Sequence, residues 1–99
     1  MNMQAMMKQA QKLQKEMINK KSEIDEKSFF GKSSLVKVEL KGNKKVKKIE
    51  IDKSENIVKE DIEMLEDMIL IAFNEALAQI EKEVDSKMGK FGSGLSGLM

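Results

Sequence analysis

Residues 35–52 read Leu35-Val36-Lys37-Val38-Glu39-Leu40-Lys41-Gly42-Asn43-Lys44-Lys45-Val46-Lys47-Lys48-Ile49-Glu50-Ile51-Asp52, and this stretch decides the fold. Val36, Val38 and Leu40 alternate with Lys37, Glu39 and Lys41, the two-residue period of a strand with one buried face. Gly42-Asn43 supplies residues tolerant of positive φ, and residues 44–52 resume an extended pattern, so the segment forms a hairpin. The apolar phase slips between Val46 and Ile49, which predicts one extra residue in the second strand as a bulge.

Upstream of the hairpin, Met3, Met6, Ala10, Leu13, Met17 and Ile24 recur at spacings of three and four, interrupted where Lys20 takes a seam position. This is a single helix with a heptad-like apolar stripe. Lys8, Lys12 and Lys15 fall on its opposite side as a solvated basic face. The helix is expected to end near Lys27, and Ser28-Phe29-Phe30-Gly31 to start a short strand. Downstream, beyond a polar connector at residues 53–59, Ile62, Leu65, Ile69, Ala72, Ala76, Ile80 and Val84 mark a second helix starting near Glu60 or Asp61. The acids in its first turns favour the positive end of the helix macrodipole. Met64, Met68, Ile71, Phe73 and Leu77 widen its apolar surface until the middle of the helix needs two covers. Residues 89–99 hold four Gly and two Ser and are expected to form a flexible tail behind a single domain at 1–88.

Helices of about 25 and 28 residues run roughly 37 and 42 Å at ~1.5 Å per residue, far beyond the ~13 Å radius of gyration of a compact 100-residue domain. They must project from the sheet, as an antiparallel pair zipped by the Met3 to Ile24 stripe. One helical layer on one small sheet leaves the opposite sheet face and the second stripe of helix 2 uncovered. Self-association relieves this. The expectation is a homodimer that uses Met64, Met68 and Ile71.

The chain has 99 residues with no Cys, His, Trp or Tyr, which excludes disulfides, thiol chemistry, imidazole acid/base work and ordinary zinc sites. Asp61 with Glu63, and Glu66 with Asp67, lack the histidine or glycine-rich phosphate loop that would make them catalytic or metal pairs. They read instead as charges on a helix start and a solvated face. No catalytic residue, metal, cofactor or small-molecule substrate is expected, and no membrane segment, since the longest apolar run is Met68 to Phe73. A cytoplasmic protein follows.

Charge is strongly polarised along the chain. Residues 1–48 carry thirteen Lys and five acids, whereas residues 49–99 carry five Lys and twelve acids, so the net +1 conceals halves of +8 and −7. Clustered cations fit a polyanion partner, although two such halves also solvate and neutralise each other. All the basic residues are Lys. Lacking the planar fork of Arg, they hold phosphates as point charges rather than reading base edges, so any DNA binding rests mainly on phosphates.

The ordered set Met7-Lys8-Gln9-Ala10-Gln11-Lys12-Leu13-Gln14, Leu35-Val36-Lys37-Val38 leading to Gly42, Ile49-Glu50-Ile51-Asp52, Met64-Leu65-Glu66-Asp67-Met68-Ile69 and Ala72-Phe73-Asn74-Glu75-Ala76 resembles the YbaB/EbfC family of bacterial nucleoid-associated proteins. The resemblance covers about residues 4–90. It implies an α+β fold of order α-β-β-β-α, with a small antiparallel sheet and two long projecting helices. It also implies a tweezer-like homodimer and DNA binding without catalysis. Ser33-Ser34 stands where the family often has glycines, Lys53 where Pro is common, and the tail lacks the usual prolines.

The reading is a nucleoid-associated homodimer that binds double-stranded DNA and affects nucleoid organisation or gene expression. Lys8, Lys12 and Lys15, with Lys87 and Lys90 brought near them, form the expected grip. The hairpin residues Lys44 and Lys45 are a competing surface whose other role is protecting a strand edge. The alternative is a protein-interaction adaptor for a recombination or replication factor. RNA binding is a third reading, resting on Phe29, Phe30, Phe73 and Phe91 as stacking platforms.

Overall fold

The computed structural model describes residues 2–89. The order is α1 (Met3–Glu26), β1 (Ser28–Ser33), β2 (Val36–Lys41), β3 (Val46–Ile51), a single 3-10 turn (Lys59–Asp61) and α2 (Ile62–Met88). The three strands form an antiparallel meander in the order β1-β2-β3. The α+β class and the α-β-β-β-α order expected from the sequence are therefore present. Of the predicted tail, only Gly89 is described. It closes α2 in right-handed helical geometry, and residues 90–99 lie outside the described part.

Local chemistry sets the element ends. Asn2 caps α1, its Oδ1 accepting the Gln4 amide at 3.0 Å, which satisfies one of the free N–H groups of the first turn. Asp61 accepts the Val58 amide at 3.2 Å and so starts the turn that leads into α2. The expected bulge is present: Leu40 pairs with Val46 and Glu39 with Lys48, leaving Lys47 as the extra residue. The β2-β3 turn differs from expectation. Positive φ falls on Lys44 (71°), not on Gly42 or Asn43, and the Asn43 side chain instead steadies the turn by accepting the Lys45 amide at 2.9 Å. In the β1-β2 turn Ser34 adopts φ 48°, a conformation that suits glycine.

The core lies between α2 and the inner face of β1 and β2. Phe29, Val36, Val38 and Leu40 from the strands meet Ala72, Ala76 and Ile80 from α2, with Ile24 and Met88 closing the end. Gly31 is the point of closest approach. A Cβ built there would stand 1.8 Å from the Ala72 carbonyl oxygen and 2.8 Å from the Ala76 nitrogen. Gly42 plays the same part under α1, where a Cβ would come within 1.8 Å of the Ile24 carbonyl oxygen. Burial of a side chain such as Leu40 or Ile80, each at most 2% exposed, contributes about 1.5–3 kcal/mol.

Two expectations about the layers are corrected. The helices do not zip along the whole Met3 to Ile24 stripe. Only Met17 to Ile24 reaches α2, while Met3, Met6 and Leu13 remain more than half exposed. Lys27 pairs with Glu83, so the stretch of α2 from Ile62 to Glu83 (roughly 32 Å) and all of α1 (roughly 36 Å) lie nearly end to end. The molecule accordingly measures 71 × 20 × 15 Å. The second correction concerns the sheet. Its outer face carries Phe30, Lys32, Lys37, Glu39 and Lys48 and is mostly polar. The uncovered apolar surface is on the inner side, because α2 lies over β1 and β2 and leaves Val46 and Ile49 of β3 about half exposed.

Replacing Gly31 by Ala forces α2 off β1 and should cost about 3 kcal/mol or more, given overpacking against backbone that cannot rotate away. Gly89→Ala, with open space around the new methyl, should leave the urea midpoint unchanged or slightly raised.

Candidate nucleic-acid interface

The lysines separate into three surfaces that differ in how their charge is used. On α1, Lys8, Lys12 and Lys15 follow i, i+4, i+7 spacing and so share one face of the projecting half. All three are exposed, and none takes part in an ion pair among the described residues. The opposite side of the same segment is the exposed stripe of Met3, Met6 and Leu13. Three exposed cations fall on about 10 Å of helix, with Glu16 one turn beyond Lys12.

Lys87 occupies the last turn of α2 beside Lys20, Glu23 and Ile24. It therefore lies at the base of the arm, roughly 7 Å of helix rise from Lys15, rather than beside its tip. Lys90 is outside the described residues. Next to Lys87, the Glu83 carboxylate is held below the usual carboxylate range, chiefly by its hydrogen bond from the Lys27 ammonium.

The hairpin lysines are divided. Lys44 and Lys45 sit exposed in the turn with no ion pair among the described residues. Lys47 is bound to Glu39 at 3.3 Å and Lys48 to Glu50, so half of the apparent charge density of this loop is spent internally. Glu39 is held low, first by the Ser28 hydroxyl donating at 2.7 Å and then by Lys47. Glu50 is held low by Lys48. Asp52 is held low by the hydroxyl and amide of Ser54, which it accepts at 2.6 and 2.9 Å.

The expected interface residues Met64, Met68 and Ile71 share one flank of α2, within about 60° of each other at 100° per residue. Met64 borders the connector Glu55 to Ile57, and farther along the same flank Lys82 and Ser86 border Ser28 and Phe30 of β1. Met64 and Ile71 are about half exposed, while Met68 is partly buried against the core. Val46 and Ile49 of β3 are a separate exposed apolar pair. Their exposure was not identified from the sequence, because strand alternation shows which residues share a face but not how far a helix extends over it.

Among the described residues, no group of three or more acids could hold a metal ion, and no helix is long and apolar enough to cross a membrane. The family model of the YbaB/EbfC DNA-binding family matches residues 1–95. A nucleoid-associated protein of Lactococcus lactis subsp. cremoris (strain MG1363) is 50% identical over 97 residues, covering 96% of this chain and 97% of that protein. One of Lactococcus lactis subsp. lactis (strain IL1403) is 52% identical with the same coverage. A third, of Enterococcus faecalis (strain ATCC 700802 / V583), is 41% identical over 97% of this chain and 93% of its own length.

The depressed carboxylates fix the expected acid response. Glu39, Glu50 and Glu83 lie below 4.5, and Asp52 below 3.8. Their contribution is complete above those unfolded-state values and is lost as pH falls through the lower folded ones. With no His or Cys in the chain, the urea midpoint should stay level from about pH 6 to 9 and decline only below about pH 4.5. Ser28→Ala, which removes the largest cause at Glu39, should make that decline smaller without moving its start, because the start is set by the unfolded-state value.

Proposed function

The chain belongs to the YbaB/EbfC DNA-binding family, and on that premise we propose that it is a nucleoid-associated protein that grips double-stranded DNA as a homodimer, mainly through phosphates. The observation that carries this reading is the unpaired Lys8, Lys12 and Lys15 face on an arm standing clear of the sheet. Lys arranged in this way neutralises successive phosphates without reading base edges, so binding is only weakly selective for sequence. Lys87 adds charge at the base of the arm, and Lys90 is the further lysine of the proposed contact set. The domain spans residues 1–88, residues 89–99 form its tail, and the protein acts in the cytoplasm on the nucleoid.

The homodimer reading is supported by apolar surface that the single chain leaves uncovered: the Met64, Met68 and Ile71 flank of α2, and Val46 and Ile49 of β3. A two-fold interface uses the same surface on both subunits, so a helix flank of one copy can cover β3 of the other. Two copies then carry two basic arms. A second reading, a protein-interaction adaptor for a recombination or replication factor, is favoured by the exposed Met3, Met6 and Leu13 stripe, since thioether side chains repack readily around a partner.

Duplex binding should be saturable, with log K falling by about 0.9 per neutralised phosphate per tenfold rise in salt. Replacing Lys8, Lys12 and Lys15 by Gln should lower affinity for every sequence and cut the slope by about one per contact. Replacing Lys44 and Lys45 should do less. Gel-shift titrations across salt decide between them: a larger loss in the hairpin variant would put DNA on the sheet, and weak unsaturable retention by the unaltered protein would favour the adaptor.

Ile71→Glu places a charge on the exposed flank without disturbing the core of the subunit. It should weaken the dimer by on the order of 3 kcal/mol, about a hundredfold, because the contact would bury an unpaired ion. Sedimentation of the unaltered chain as a stable monomer at micromolar concentration would refute the dimer.

A further inference from the structure

The face of the sheet turned away from α2 carries one aromatic ring among lysines. Phe30 points outward from β1 and is 43% exposed, in contrast to its neighbour Phe29, which is buried in the core. Directly across the sheet, Lys32 is paired with Lys37. Like charges in directly opposed positions repel, and neither lysine takes part in an ion pair among the described residues. Glu39 is held by Ser28 and Lys47; Glu50, which lies opposite Lys37 and feels its charge, is held by Lys48, and Asp52 feels Lys32, so the acids only partly offset the two lysines. Lys37 reaches over the Phe30 ring, its Nζ 5.0 Å from the ring centre.

We propose that this face binds single-stranded DNA, with a base stacked on Phe30 and the adjoining phosphates held by Lys32 and Lys37. An exposed ring on an open sheet offers a flat apolar surface of the size of a base, and every base has a π face to lay on it. A duplex offers no such base, since its bases are already stacked between neighbours. The exposed contact of Lys37 with the ring is weaker than stacking by a base, so an arriving nucleotide displaces the ammonium toward its own phosphate. That phosphate also relieves the Lys32–Lys37 repulsion. The chemistry engages base faces and phosphates only. Neither stacking on a ring nor ammonium–phosphate contact distinguishes ribose from deoxyribose, so RNA of the same length should bind no better. The site is separate from the arm face of α1 and does not depend on it.

The test is fluorescence anisotropy of the full chain with labelled dT12 at low salt, alongside a 12-base-pair duplex and U12. Phe30→Leu should weaken dT12 binding about tenfold, while Phe30→Tyr should stay within about twofold of the unaltered protein. Lys32→Gln with Lys37→Gln should weaken it as well and lower the salt slope by about 0.7 per lost phosphate contact. All variants should melt as the unaltered protein does, because the substituted side chains are on the surface. Replacing Lys8, Lys12 and Lys15 should reduce duplex binding and leave dT12 binding intact. The proposal is overturned if dT12 does not bind, if Phe30→Leu binds it normally, or if the α1 variant loses it. A tenfold preference for U12 would overturn the assignment to DNA.

Discussion

The contact of α2 with β1 at Gly31 governs the rest of the molecule. A glycine in a strand lets the helix backbone come to a distance at which any side chain would collide with the Ala72 carbonyl. Ala72 and Ala76, fully buried, complete the same requirement from the helix. A helix seated this low over β1 and β2 buries Val36, Val38 and Leu40 completely but cannot also reach β3. The exposed Val46 and Ile49 are therefore a consequence of tight packing elsewhere.

Gly42 makes a second close approach, under the end of α1, and fixes where that helix leaves the sheet. The Gly42 amide donates to the Lys27 carbonyl at 2.9 Å, which ties the hairpin turn to the helix exit. From that point α1 runs away from the body, held against α2 only by its last turns and the Lys27–Glu83 pair. The radius of gyration of 19.4 Å, against ~13 Å for a compact domain of this length, measures this extension. Mechanically the chain is a small rigid head with a long charged lever.

Charge is sorted on the same plan. Where lysines meet carboxylates across short distances, at Lys47, Lys48 and Lys27, the exposed pairs contribute little to stability because solvent screens them, and they remove positive charge from the surface seen by a polyanion. Along Lys8, Lys12 and Lys15, which enter no ion pair among the described residues, the charge faces outward. The number of lysines in a segment is thus a poor guide to its electrostatic reach; their partners decide it.

The sequence by itself determined the order of elements, because each carries its own period: three-and-four spacing in residues 3–24, alternation in residues 36–40, and the phase slip between Val46 and Ile49 that requires one extra residue. It also determined that no imidazole or thiol chemistry is present, and its ordered motifs matched the family later found across residues 1–95. The basic face of α1 was legible for the same reason, since helical spacing alone brings Lys8, Lys12 and Lys15 together. What the tertiary structure decided are quantities that depend on distance through space. These are the helix overlap, which follows from where Lys27 meets Glu83; the polar character of the outer sheet face, which needed the β1 register that sets Lys32 opposite Lys37; and the shift of positive φ to Lys44. Local periodicity encodes which side of an element is apolar, whereas how far one element extends over another depends on steric contacts such as the one at Gly31, between residues some forty positions apart in the chain.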